Sequence, residues 1–395
     1  MKVTDIQAYL LSSLLAEPFR EPLPGGWERT VLKHDALLIR IRTDQGLTGY
    51  APGPASANTA QLINRNLRPA IVNMDPRKGE GVRKKVLEKR PKYPGLMQAY
   101  GAVEMALLDL RAKAEGCPLH QLLGGRTRSC LKLLPRFQQR LEGERLAQAL
   151  EGMSVHRFQA MGLQGGRASE FDRNLIEGIQ KLDSRLPIAF DARLWWQGAD
   201  SVPDGQSAAA VLSAFAEIPI LWLEEPFHPK TRESYRLARQ VGRPRLAAGR
   251  SWSESADLTS ISTEGLADVV QLDISRHGGY ESGKRVLAPA EPVAQKAVLC
   301  SQGTALDALA ALHLGVCFRP EVVEWLEWPV WIDEKKGLYL YDSPLSLQIL
   351  REPLRLESGQ LMIPEGPGLG MDINESVVSK YPWKSGPSVV VRRMD

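Results

Sequence analysis

Between Pro187 and Arg250 stand three short apolar runs, Ile188-Ala189-Phe190-Asp191, Leu221-Trp222-Leu223-Glu224 and Leu246-Ala247-Ala248-Gly249-Arg250, each ending on a charged residue. Such runs are too short for helices, and each is followed by helical or loop sequence. The pattern predicts three buried strands of a parallel sheet that deliver polar groups at their C-terminal ends. Two carboxylates and a guanidinium then meet in one place.

Outward from this stretch the same texture recurs. Strand-like runs end near Arg136, Gln164, Asp191, Glu224, Arg250, Asp273, Ser301 and Glu327, at steps of roughly 23 to 33 residues, the span of one strand-plus-helix unit. Eight units in succession predict a closed (β/α) TIM-like barrel, an α/β fold in which residues at the strand C-termini share one mouth. Upstream, Val3 to Leu11 and Ala36 to Arg42 are strand-like, and Thr43-Asp44-Gln45-Gly46 is a turn into Leu47-Thr48-Gly49-Tyr50. Glu17 to Arg29, rich in Pro and Gly around Trp27, reads as a loop able to cover something. Apolar residues from Gln98 to Glu115 recur at helical steps until Gly116 and Pro118 stop the helix. The turn-rich tail beyond Trp331 is expected to return to the N-terminal part.

Bulk properties narrow the classes. A chain of 395 residues, 43% hydrophobic and 24% charged, reads as an ordinary soluble protein of about two domains. Its formal charge of +4 neither demands nor excludes an acidic partner. Cys117, Cys130, Cys300 and Cys317 show no paired spacing, which makes a reducing cytoplasm the expected location. No apolar run reaches the ~18 residues of a membrane helix. Arg77 to Lys92 is the most basic run, and a solvated face is the favoured reading over a nucleic-acid patch. There is no H-E-x-x-H or G-x-S-x-G, and Gly278 to Arg285 misses a phosphate loop because Arg285 stands where the hydroxyl belongs. No nucleotide or organic cofactor is expected.

The helix Ala102-Val103-Glu104-Met105-Ala106-Leu107-Leu108-Asp109-Leu110, continuing to Leu122-Leu123-Gly124-Gly125, resembles the end of the capping domain in the enolase superfamily. Asp191 in Phe-Asp-Ala, Glu224 in Leu-Glu-Glu-Pro, Asp273 in Gln-Leu-Asp-Ile-Ser-Arg-His-Gly-Gly, and Pro367-Gly368-Leu369-Gly370 are similar, in order and spacing, to the mandelate racemase and muconate-lactonising enzyme branch. The resemblance implies an α+β capping domain from both chain ends, 1–125 completed by 355–395, over a barrel at 126–354. It also implies a lyase or isomerase, of acid-sugar dehydratase or racemase type, and a homo-oligomer whose size the sequence does not fix. The implied chemistry takes a proton from beside a carboxylate while Mg²⁺ on three acids stabilises the enediolate, because the developing dianion needs concentrated positive charge.

This chain departs from that pattern. Where the family carries Lys-x-Lys on the second strand stands Gly162-Leu163-Gln164, and where it carries an acid after Ala-Gly stands Arg250. The seventh-strand histidine of the racemases is replaced within Val298-Leu299-Cys300-Ser301. Asp191 and Glu224 remain as metal ligands, and two carboxylates suffice for Mg²⁺ in principle. A guanidinium at the third position argues the other way, since it repels a dication and pairs with carboxylates itself. Glu254, a turn further on, is poorly spaced to substitute.

Asp273 is the candidate base, with Arg250 beside it as catalytic cation; the competing reading of Asp273 is a strand-end acid paired with Arg276 or Arg250. Arg136, Gln164, Arg193, Ser301 and Glu327 are the candidate substrate-binding residues, Glu327 being preferred to Glu324 on its strand. The arginines suggest a pocket for an anionic small molecule, or else each neutralises a neighbouring acid. His228 and His277 are expected to be exposed loop residues, and Cys300 a buried thiol. Trp195, Trp196, Trp222, Trp325 and Trp328 fit either a pocket wall or core. A relative without catalysis, binding an anion or a regulatory partner, is the alternative to an enzyme. Neither a membrane nor a nucleic acid is the expected partner.

Overall fold

The computed structural model describes the chain except at 24–25, 79–82, 85, 87, 89–92, 94, 138, 140, 142, 166–169, 184–185, 197–211, 214, 254, 291, 293–294, 302, 334–336, 341–342 and 395. Strands β1 (Val3–Leu23), β2 (Trp27–Thr43) and β3 (Thr48–Gly53) form an antiparallel meander. The expected loop at Glu17 to Arg29 is instead the far end of a hairpin, paired from Phe19↔Val31 to Leu23↔Trp27. Pro18 falls within the register shift and Pro22 on an edge strand, the two settings in which a sheet accepts proline. A register shift between Leu14 and Phe19 absorbs the extra residues.

Helix α1 (Leu96–Ala114) packs on the meander and ties it to the barrel side of the molecule. Buried Asp109 accepts from Tyr50 N–H and Leu369 N–H, both at 2.8 Å, and from Lys113 Nζ at 2.7 Å. Glu104 accepts from the Tyr280 and Glu281 N–H groups at 3.0 and 3.3 Å, at the start of α2 (Gly279–Leu287). A Cβ on Gly101 would lie 2.2 Å from the Gly278 carbonyl carbon, so glycine is what lets α1 approach this turn.

The eight strands close as expected. They are β4 (Cys130–Phe137), β5 (Met161–Gln164), β6 (Ile188–Asp191), β7 (Trp222–Glu224), β8 (Leu246–Ala248), β9 (Val269–Leu272), β10 (Lys296–Leu299) and β11 (Val323–Asp333). Each pairs in parallel with the next, and β11 returns to β4. Leu134, Ala160, Ala189, Trp222, Ala247, Val269, Val298 and Trp325, one from the segment of each strand, form an apolar cluster inside the ring. With side chains alternating along a strand, the inward residue two places on is Arg136, Gly162, Asp191, Glu224, Gly249, Gln271, Cys300 or Glu327. The charged residues therefore sit directly above an apolar floor.

Beyond the barrel β11 runs on to pair with β12 (Gly337–Leu340), and its Trp331 meets Phe19 of the long hairpin edge-on at 4.9 Å. In the tail, β13 (Leu356–Glu357) pairs with β14 (Gln360–Met362), which lies against β4, and β15 (Val389–Arg393) joins β2. Among the described residues no helix is long and apolar enough to cross a membrane.

Candidate active site

Four strand ends and one turn build the mouth. Arg136 Nη2 donates to Glu224 Oε1 at 2.5 Å and Glu327 Oε1 at 2.8 Å, and its Nη1 lies 4.0 Å from Asp191 Oδ2. Arg250 Nη2 donates to both oxygens of Glu327 and lies 3.7 Å from Glu224 Oε2. Glu224 also accepts from the Trp222 indole of the floor at 2.8 Å. At the edge, Arg193 grips Asp191 through Nε, 3.0 Å from each oxygen, and Nη2 at 2.7 Å.

Two glycines make this possible. Arg136 lies over Gly162, where a Cβ would be 2.9 Å from its Nε and 3.0 Å from its Cζ. The absence of a side chain at that strand position is thus the space that the Arg136 guanidinium fills. Gly249 has φ of 134° and would put a Cβ 2.3 Å from the Gln271 carbonyl oxygen, so only glycine makes the turn that sends Arg250 inward. Buried Glu225, which sequence reasoning passed over, accepts from the Gly249 and Ser251 N–H groups at 2.9 Å and holds that turn.

Asp191, Glu224, Glu327, Arg136 and Arg250 are all buried. Burial alone pushes the Glu327 carboxyl up, but Arg136 and Arg250 outweigh it and hold Glu327 below its ordinary value. Asp191 behaves likewise: against the upward push of burial, Arg193, Arg136 and Arg250 hold it well below the usual carboxylate range. Burial pushes Arg136 and Arg250 down, and the surrounding carboxylates reverse this. Three acids and three guanidinia leave the cluster formally neutral.

The same contacts bear on a divalent cation. Among the described residues no group of three or more His, Cys, Asp or Glu side chains is arranged to hold a metal ion. Asp191 faces Arg193, Glu224 faces Arg136, and the third ligand position of the family pattern holds Arg250. Hard cations need carboxylate oxygens free of fixed positive charge, so this donor set does not fit Mg²⁺. Glu254 lies outside the described residues.

Asp273, one residue past β9, is buried and accepts on Oδ1 from the Ser275 and Arg276 N–H groups at 3.0 and 3.3 Å. Among the described residues no guanidinium forms an ion pair with it. Burial, opposed mainly by Arg276, pushes its carboxyl up to about 6. His277, expected in solvent, is buried beneath it: Nδ1 accepts the Asp273 N–H at 3.1 Å, and Nε2 lies 3.0 Å from the Trp252 carbonyl. Burial, with Arg276 nearby, lowers it to about 4, so it is a neutral brace for the Asp273 backbone. His228 stays half-buried, edge-on to Trp196 at 4.9 Å.

The remaining candidates spread out. Gln164 ends β5 beside Asp191 in register and is half-buried. Ser301 is buried, and its hydroxyl has no partner among the described residues. Burial and Glu327 push the Cys300 thiol well up despite Arg250, which leaves an inert thiol. Trp222 and Trp325 belong to the floor, while the Trp196 indole donates to the Glu225 carbonyl at 2.8 Å. Glu324 points away from the mouth to Lys132 and Lys296. In the basic run, Arg77 pairs with Asp75 at 2.6 Å and Arg83 with Glu281 at 2.7 Å, and much of the rest lies outside the described residues.

Known proteins match this chain along its length. Residues 20–124 match the mandelate racemase / muconate lactonizing enzyme N-terminal domain, and residues 144–377 match the enolase C-terminal domain-like family. D-galactarolactone cycloisomerase of Agrobacterium fabrum is 26% identical over 96% of this chain and 99% of its own length. D-galactonate dehydratase of Pectobacterium atrosepticum is 26% identical over 96% of this chain and 94% of its own. A crystal structure of an enolase-superfamily member from Polaromonas sp. JS666 superposes with a TM-score of 0.79 at 25% identity, covering 98% of this chain and 99% of that one.

Proposed function

Because the chain belongs to the enolase superfamily, in its mandelate racemase and muconate-lactonising enzyme branch, we propose that it takes the α-proton from a small carboxylate or acid sugar without a metal. It is then a lyase of dehydratase type or an isomerase. The observation that carries this is the pair Arg136 and Arg250, converging on Glu327 Oε1 beside a buried carboxylate raised to about 6. Arg136 and Arg250, though paired with Glu224 and Glu327, are the cations placed to stabilise a developing enediolate. Each leaves Nε and Nη1 without a hydrogen-bond partner among the described residues, and these N–H groups are donors for a substrate carboxylate.

Asp273 is the base, its pKa placed for work near neutrality, and the backbone donors on Oδ1 orient it. Ser301, Gln164 and Arg193 line the substrate. Gly162 and Gln164 provide no second base, which favours one-base chemistry over exchange between two faces of the substrate. Four free cysteines support a reducing cytoplasm. The hairpin of 1–125 joined by β15, set on the barrel of 126–354, supports the proposed two-domain division.

The test is α-proton exchange in deuterated solvent, with EDTA present, across a panel of acid sugars and hydroxy acids. Exchange with at least one member is expected, and Mg²⁺ titrated into the protein should give no heat. A chain that binds these acids but exchanges none sinks the catalytic reading. It would leave the second one, an anion-binding relative without catalysis, which the Arg136 and Arg250 N–H groups without hydrogen-bond partners among the described residues support.

A further inference from the structure

Barrel interiors are built in layers of four side chains from alternate strands. The layer above Ala160, Trp222, Val269 and Trp325 consists of Gly162, Glu224, Gln271 and Glu327. Three of its members are explained: the two glutamates bind the guanidinia, and Gly162 makes room for one of them. Gln271 is not. It is fully buried, and neither its Oε1 nor its Nε2 has a partner among the described residues. A leucine of similar volume would continue the apolar floor without unpaired atoms, so the amide costs stability where it stands.

The unpaired groups around it differ in what they ask for. The free N–H groups of Arg136 and Arg250 are donors only, and a carboxylate satisfies them. Gln271 presents a donor and an acceptor together. A carboxylate accepts only, whereas a hydroxyl both accepts and donates. Resting on the carboxylate reading of the mouth, we infer that Gln271 is a specificity-determining residue that pairs with a hydroxyl of the ligand. The site therefore selects hydroxy acids over unsubstituted acids of the same length.

Calorimetry on the full chain tests this with D-galactonate, D-gluconate and D-mannonate against hexanoate. The wild type should bind at least one sugar acid at least about tenfold tighter than hexanoate, a lower bound on the ~10⁴-fold by which a site built for a hydroxyl rejects its absence. Gln271→Leu should erase that preference, leave hexanoate affinity within about twofold, and melt no lower than the wild type. Gln271→Met serves the same comparison if the leucine variant fails to fold. A preference that survives in either variant overturns the inference, as does a parallel loss of both affinities, which marks a structural amide. A wild type that binds no acid overturns it together with the carboxylate reading. Binding with the expected preference but without α-proton exchange removes only the catalytic proposal.

Discussion

Glu324 and Glu327 stand three residues apart on β11 and answer the same problem in two settings. Each is an acid between two cations. Glu324 faces outward near the start of the strand, a quarter exposed, with Lys132 and Lys296 at 3.0 Å on its two oxygens. Glu327 faces the mouth, 1% exposed, between Arg136 and Arg250. Water screens the first group, and long lysine chains meet it at little cost or gain. The second is desolvated, so each charge depends on the others, and the planar guanidinium, more weakly hydrated than an ammonium, suits the buried setting. The two arrangements are alike in charge; solvent decides their energy.

The strongest way to break this contrast is Glu327→Ala. Leaving two buried guanidinia facing Glu224 should cost about 3–5 kcal/mol in urea denaturation, and a loss under about 1 kcal/mol would mean that the cluster is not coupled. Arg250→Lys keeps the charge but loses the fork. The expected cost is about 1.5–3 kcal/mol, as for a hydrogen bond to a charged group, read from the same denaturation curves.

Asp273 sharpens the contrast, being buried like Glu327 but without a cation in contact. Its folded-state pKa of about 6 lies above the ordinary carboxyl value, so its stabilising contribution is complete below pH about 4 and lost as pH rises through about 6. The ionised base accumulates over the same interval. The α-proton exchange rate should therefore rise about tenfold per pH unit below 6 and level off above it. A flat profile would remove Asp273 as the base, and Asp273→Asn should abolish both the exchange and this part of the pH dependence of stability. The smallest effect belongs to Glu324→Ala. A change within about 1 kcal/mol is expected, shrinking further in high salt, and a larger one would show that exposure does not protect the outer pair.

Much of the fold was legible because it rests on periodicity. Short apolar runs ending on polar residues marked all eight barrel strands, and the helical steps up to Glu115 marked α1. The hairpin past Leu14 was not legible, since prolines and glycines signal a loop unless the strand happens to lie at an edge. His277 was misplaced for a related reason: a turn residue looks exposed until the turn is seen to fold it back on Asp273 and Trp252. Gln271 carried a signal that went unused, standing two residues before Asp273 on the same inward face.

By itself the sequence determined the family, the barrel, and the chemical oddity of an arginine where an acid is expected, because strand period and motif order are local properties of the chain. Only the tertiary structure decided what that arginine does. Arg136, Glu224 and Glu327 come from three strands and Arg250 from the turn after a fourth, separated by up to 191 residues. Their meeting depends on barrel closure, on the space above Gly162, and on the exclusion of water that turns four ordinary charges into one interdependent group.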